Sequence, residues 1–342
     1  MHPPLTPVPL ETLAWIAVRG PDARKFLQGQ LSQDVLGQPP DRVVLAGLHN
    51  PQGRTTAILR LVPHAEDELL LGLPAEIAAA VIQRLNRYVL RARLTVEDVS
   101  ARWLAVGLAS ASASASASAS ASASANAGAN AGAGAGAATA LADAGLLPAS
   151  AATGALARQG ECLAWRHTSA PAERFILLAP RGGIVASALR PSDAASTAAE
   201  RRDWHAADVA AGLPQVHAAT SEAFVAQMLN LDVLQGIAFD KGCYTGQEVI
   251  ARAHYRGRVK RRMQRFRTVG APAARLAPGD TGTLVDGRGF RVVEVAELAD
   301  GRREFLAVAP LAAGAAAEDE GGSAQTSRWD AEMLPLPYAL PD

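Results

Sequence analysis

Eight consecutive residues carry the densest reactive chemistry in the chain: Lys241-Gly242-Cys243-Tyr244-Thr245-Gly246-Gln247-Glu248. An ammonium two residues from a thiol stabilises the thiolate, the nucleophilic and metal-binding form, against an ordinary thiol pKa of ~8.5. Gly242 and Gly246 permit positive φ and close approach of backbone to a ligand. Gln247 and Glu248 add an amide and a carboxylate. A plainer reading fits as well, because a single cysteine is most often a small buried hydrophobe. Cys162, in the apolar run Cys162-Leu163-Ala164-Trp165 with no basic residue before Arg166, reads as core packing.

Just beyond that segment, Arg252, Arg256, Arg258, Lys260, Arg261, Arg262, Arg265 and Arg267 form a basic run without an acid, with His254 and Tyr255 inside it. Such a run is usually a solvated strand face. The functional readings are a seat for an anionic ligand tail or for RNA. Trp204 and Trp15 are core residues by default, or flat faces on which a heteroaromatic ring stacks. His205 and His217 stand apart, and His-Glu-x-x-His, Gly-x-Ser-x-Gly and phosphate-binding Gly-Lys-Ser/Thr patterns are absent, so no metal ligands are expected.

The bulk properties narrow the classes. The 342 residues have zero formal net charge, so no global field recruits nucleic acid or a membrane. Two cysteines make neither a disulfide scaffold nor a closed four-ligand site, which points to free thiols in a reducing, cytoplasmic setting. The proline-bearing start, Met1 to Leu10, lacks a basic stretch followed by an apolar one, and no signal peptide is expected. No apolar run long enough for a membrane helix is present.

The elements that must position these residues read as α+β. Strands are expected at Trp15–Val18, Val43–Leu48, Thr56–Val62, Leu69–Leu73, Leu94–Val99 and Trp103–Leu108. Asp22 opens a helix through Leu31 as its N-cap. Asn50-Pro51-Gln52-Gly53 suits a type I turn, and Pro74 starts a helix bearing Ile77, Val81, Leu85 and Tyr88 or Val89 on one face. Ala109 to Ala140, alternating Ala and Ser before drifting to Asn and Gly, cannot bury a large side chain and reads as a flexible insertion. Beyond it come strands at Cys162–Trp165 and Phe175–Leu178. A helix from Ser192 to Ala211 is expected to break near Asp203 and to end at Gly212-Leu213-Pro214. Arg262–Val269, Thr281–Val285, Phe290–Leu298 and Glu304–Val308 read as a small C-terminal β-barrel, with a hairpin at Asp300-Gly301. Ala312–Ser327 reads as a loop, and Trp329–Asp342 as a stretch extended over the surface. The parts are 1–108, the insertion 109–140, 141–260 and 261–342.

Asp240-Lys241-Gly242-Cys243-Tyr244-Thr245-Gly246-Gln247-Glu248, with Ala251-Arg252, Tyr255-Arg256-Gly257 and Lys260-Arg261, resembles the signature of YgfZ-type proteins, a folate-binding branch of the glycine-cleavage T-protein superfamily. Phe26-Leu27-Gln28-Gly29-Gln30-Leu31, Asn50-Pro51-Gln52-Gly53-Arg54, Trp204 with Gly212-Leu213-Pro214, and Asn230-Leu231-Asp232 resemble further stretches of that family. One departure is Ala226, where many members carry Pro. The resemblance implies a three-part ring like the T-protein, with mixed α/β N-terminal and middle domains and tetrahydrofolate or a one-carbon derivative in its channel. It implies that Lys241 and Cys243 are the critical pair and that Trp204 and Trp15 lie at the folate site; Tyr244, Gln247, Glu248, Arg252 and Arg256 are the remaining expected ligand contacts. It further implies a role in assembling or repairing iron–sulfur clusters in client enzymes, including a tRNA-modifying one. A lone thiolate cannot hold a cluster, but it can donate one ligand to a transient cluster shared with a partner. Two other functions stay open. One is a folate-dependent aminomethyl or methyl transferase, which needs an acid–base carboxylate that no motif singles out among Asp34, Asp41 and Asp98. The other is an RNA-binding module on 252–267, disfavoured by the neutral chain.

Overall fold

The computed structural model describes residues 5–110, 145–148, 150, 152–189, 194–257, 259–272, 275–311 and 327–341. The fold is α+β, as expected, with strands outnumbering helices. The chain divides into two compact units, each assembled from separated segments.

The first unit comprises Met1–Arg24, Gly37–Val44 and Arg60–Ala211. One of its sheets is antiparallel in the order β1 (Leu5–Pro9), β7 (Trp103–Ser110), β10 (Arg174–Pro180), β9 (Cys162–Thr168), β8 (Leu156–Gln159). Strand β1 is not among the expected elements. Its prolines sit on the sheet's edge, where a missing N–H removes no ladder bond. A second set of strands, β2 (Leu13–Arg19), β5 (Glu68–Pro74) and β6 (Thr95–Asp98), is joined by the later half of β4 (Thr55–Ala65). Helix α2 (Ala75–Val89) packs on β2, β5 and β6 through Ile77, Ala78, Val81 and Leu85. Pro74 stands at its N-cap, one residue earlier than expected, and Tyr88 faces solvent. A short α3 (Ile184–Ala188) precedes α4 (Ala194–Ala210). The expected break near Asp203 does not occur: α4 runs straight through it, with the Arg202 guanidinium bonded to the Asp203 carboxylate. Gly212, at φ +66°, follows the helix end as expected.

The second unit comprises Lys25–Leu36, Leu45–Leu59 and Gly212–Asp342. It holds the end of α1 (Ala23–Gln30), β3 (Val44–His49) from Leu45 onward and the start of β4. Helix α5 (Gln247–Tyr255) leads to β11 (Arg261–Thr268). The expected C-terminal barrel is present as a nearly closed six-stranded sheet. Its order is β15 (Ser327–Trp329), β12 (Thr281–Leu284), β13 (Gly289–Glu297), β14 (Arg303–Pro310), β11, β16 (Ala331–Leu334). Phe266, Phe290, Phe305 and Trp329 fill its core. The stretch from Trp329 onward is therefore not merely draped on the surface. β15 and β16 join the sheet, and the Tyr338 hydroxyl donates to Gly212 O at 2.8 Å. The Ala/Ser insertion from 111 onward and the loop at 312–326 lie outside the described residues.

Candidate functional site

Lys241 is held in a cage of backbone carbonyls in the second unit. Its Nζ donates to Gln28 O at 2.5 Å, Leu31 O at 2.7 Å and Gln33 O at 2.9 Å. These carbonyls lie in and just past the last turn of α1, where a helix leaves acceptors unmatched and its dipole favours a cation. Burial pulls the ammonium down to about 8, with Asp34 pulling the other way. The loop forming the cage is itself fixed by side chains. Gln28 Oε1 accepts from Val35 N–H at 2.7 Å, and Gln28 Nε2 donates to Asp34 at 3.0 Å. Gln33 Nε2 donates to Gln235 O at 2.6 Å, and Ser32 Oγ donates to Gly236 O at 2.6 Å. An ammonium has three N–H bonds, and all three are used here. The ammonium is thus spent on the cage, with no hydrogen bond left for the thiol.

Tyr244 anchors the other side of Cys243. It is 8% exposed, its hydroxyl pushed up to about 12 by burial, and its ring lies 5.0 Å beneath the Lys241 ammonium. Gly246 then turns the chain into α5 at φ +84°. A Cβ there would fall 2.5 Å from Asn50 O and 3.0 Å from Gly53 Cα. The Asn50–Gly53 turn that closes β3 onto β4 is thus seated on the signature. That turn is made as expected, with Gly53 N–H donating to Asn50 O at 2.9 Å and Asn50 Oδ1 accepting from the amides of Gln52 and Arg54. Gly246→Ala is expected to lower stability by about 1–3 kcal/mol, from backbone strain and collision together. A denaturant midpoint checks this, and an altered rate of Cys243 alkylation should accompany it.

Between these anchors Cys243 is a free, exposed thiol. Glu248, in the first turn of α5, is exposed, Gln247 is partly buried, and Arg252 and Arg256 are exposed on and just past the same helix. The structure therefore places Lys241, Cys243, Tyr244, Gln247, Glu248, Arg252 and Arg256 on one continuous stretch. The basic run dissolves as it enters the barrel. Arg262 is buried and grips both oxygens of Asp232 at 3.0 and 2.8 Å, Arg265 pairs with Glu304 at 2.6 Å, and Arg267 with Glu332 at 2.7 Å. Partners supplied by cross-strand register are invisible to a local charge count. Arg258 lies outside the described residues.

Trp204 and Trp15 belong to the first unit, in one core cluster with Trp165. The Trp204 ring, 7% exposed, lies over Gly107, where a Cβ would come within 2.6 Å of it. His167 stacks on it at 5.7 Å, and the Arg174 guanidinium sits 4.6 Å above. Arg174 Nη1 donates to Trp204 O at 3.1 Å, and Arg174 Nη2 pairs with Asp208 Oδ1 at 2.8 Å. Asp208 Oδ1 also meets His167 Nε2 at 2.8 Å. Burial pulls His167 down to about 4 against the attraction of Asp208. Burial alone would push the Asp208 carboxyl up, but Arg174 and His167 outweigh it and hold the group well below the usual carboxylate range. Sequence reasoning missed this network, although Trp204 and Asp208, four apart on a helix, had to share a face. Trp15 is 1% exposed and meets Trp165 edge to face at 5.9 Å, and its Nε1–H has no hydrogen-bond partner.

No family model matches the chain. It is 32% identical over 264 residues to the tRNA-modifying protein YgfZ of Serratia proteamaculans (strain 568), covering 76% of this chain and 70% of that protein. The chain belongs to the YgfZ family. The YgfZ of Pectobacterium carotovorum subsp. carotovorum (strain PC1) is 31% identical over 258 residues, 75% of this chain and 68% of that one. The chain also shares its fold with the glycine cleavage system aminomethyltransferase T from Bartonella henselae, at a TM-score of 0.63 and 16% identity, covering 90% of this chain and 79% of that one. Among the described residues, no group of three or more His, Cys, Asp or Glu is placed to hold a metal ion, and no helix is long and apolar enough to cross a membrane.

Proposed function

We propose that this chain is a cytoplasmic tetrahydrofolate-binding protein that supports iron–sulfur cluster assembly or repair in client enzymes, tRNA-modifying ones included, with Cys243 as its reactive or ligand thiol. The observation that carries the reading is the presentation of Cys243. An exposed thiol lies between a caged ammonium and a buried tyrosine, on a loop pinned by the Asn50–Gly53 turn. That is rigid support for a group that must meet something outside the chain. A thiol so held supplies one ligand to a shared cluster and releases its proton on doing so. The four-tryptophan core of the first unit supports the folate part, since an unmatched indole N–H among aromatic rings suits a planar, acceptor-bearing ring. The similarity to tRNA-modifying YgfZ proteins supports the tRNA-modification part.

The reading is tested by titrating tetrahydrofolate against tryptophan fluorescence, with wild type and Trp204→Phe. Saturable quenching that weakens in the variant is expected, because the smaller phenyl ring gives up part of the indole's contact area. Absence of quenching in wild type up to millimolar ligand would sink the folate assignment. Cys243→Ala should bind tetrahydrofolate like wild type while failing to restore the activity of a cluster-dependent client in cells lacking the protein. The reverse pattern would favour folate-dependent group transfer. The ion pairs of Arg262, Arg265 and Arg267 leave fewer free cations on 252–267 than an RNA-binding module would want.

A further inference from the structure

Two donors in the four-tryptophan core of the first unit have no hydrogen-bond acceptor among the described residues. The Trp15 Nε1–H is buried without a partner. Arg60 is 5% exposed and makes no hydrogen bond or ion pair among the described residues. The two are neighbours by register. Arg60 on β4 stands opposite Gly72 on β5, and Gly72 stands opposite Trp15 on β2. Directly paired residues share a sheet face. Gly72 has no side chain, and the Trp15 ring fills the space above it, 2.6 Å from where a Cβ would be. Val62, Leu70 and Ala17, two positions along each strand, lie on that same face and pack in the cluster of Trp15, Trp165 and Trp204. Arg60 therefore points its guanidinium at the four-tryptophan core.

The charges there do not balance. Arg60 and Arg174 bring two cations and Asp208 one anion, which is already engaged by Arg174 and His167. His167 is neutral at pH 7. One buried cation is left over, and an uncompensated charge out of water costs several kcal/mol. Guanidinium and indole N–H are donors only, so their complement is an acceptor. The planar guanidinium fork fits two acceptors on one edge, and the surrounding tryptophan rings fit a flat ligand.

We propose that Arg60, with the adjoining Trp15 N–H, forms the recognition edge of a ligand site in the first unit, selecting a flat heteroaromatic ring by its carbonyl-bearing edge. The ligand's identity as a folate rests on the reading above, where the edge is the oxopyrimidine carbonyl side of the pterin. The existence of an acceptor-seeking site does not.

The test separates the two. Arg60→Met removes the charge while keeping most of the volume. If the cation is held in reserve for a ligand, the ligand-free variant melts a few degrees higher than wild type and binds tetrahydrofolate about tenfold or more weakly, the scale of a lost charge-assisted hydrogen bond. Both are read on the full chain, by thermal unfolding and by fluorescence titration. A ligand-free variant that melts lower than wild type makes Arg60 a structural residue and overturns the proposal. So does an unchanged tetrahydrofolate affinity in the variant. If wild type does not bind tetrahydrofolate at all, the folate reading falls alone, and tetrahydropterin lacking the aminobenzoyl-glutamate tail becomes the probe. Thermal stabilisation of wild type by that probe, lost in Arg60→Met, keeps the site; no stabilisation overturns it.

Discussion

Lys241→Met is expected to destabilise the second unit by about 3 kcal/mol or more. The methionine keeps much of the stem and removes the ammonium, leaving the carbonyls of Gln28, Leu31 and Gln33 facing an apolar group. Hydrogen bonds to a charged donor contribute about 1.5–3 kcal/mol each, and water entering the vacated cage recovers part of the loss. Lys241→Arg should not restore stability, because a flat guanidinium cannot aim three N–H bonds at three converging carbonyls. A shift of the denaturant midpoint followed by far-ultraviolet circular dichroism measures both variants. The pH profile of Cys243 alkylation on the same proteins separates positioning from charge. If Lys241 mainly fixes the loop, stability falls while the thiol's midpoint moves little. An unchanged denaturant midpoint in Lys241→Met would show that the cage does not hold the signature in place.

Asp208→Ala is expected to cost about 3–5 kcal/mol, the usual result of removing one partner from a buried ion pair. Arg174 keeps its bonds to Trp204 O and Thr168 Oγ1 but loses its counter-charge. Arg60→Met added to Asp208→Ala should return part of that loss, because both changes act on one charge balance and are not additive. The same network sets an acid limit. In the unfolded chain His167 titrates near its ordinary 6.5, and in the fold near 4. Between those values the unfolded state binds a proton that the folded state refuses. This contribution to stability is therefore complete above pH 6.5 and is lost as pH falls towards 4, amounting to roughly 3 kcal/mol over the window. Asp208, held below the usual carboxylate range, adds its own loss at lower pH. His167→Gln should flatten the slope of melting temperature between pH 6.5 and 4. A slope equal to that of wild type would place the proton uptake elsewhere.

Much of this was legible in the residues because the decisive signals were local. Asn50-Pro51-Gln52-Gly53 carries its turn in four letters, and Ile77, Val81 and Leu85 carry the face of α2. The signature segment stood out by density alone. What stayed hidden was long-range. The cage around Lys241 comes from backbone atoms more than two hundred positions away, and carbonyl oxygens leave no trace in composition. The acids that pair with Arg265 and Arg267 come from neighbouring strands, Glu304 diagonal to Arg265 and Glu332 opposite Arg267, so eight cations in a row looked freer than they are. The break expected near Asp203 does not occur, because no Gly or Pro interrupts the helix between Ala194 and Ala210. Tertiary pairing likewise turned a proline-bearing stretch into β1, which borrows its ladder from β7.

The way the second unit is assembled has a consequence for synthesis. Its segments Lys25–Leu36 and Leu45–Leu59 leave the ribosome long before Gly212 is made. At ~5–20 residues per second, roughly eight to thirty seconds pass before the rest of the unit begins to follow. Throughout that interval the carbonyls at the end of α1 wait for an ammonium that has not yet been translated. Nascent chains of this protein therefore present an unfinished half-unit to chaperones and proteases. A slow stretch of codons between 60 and 211 should lower the yield of active protein more than the same delay placed after 261.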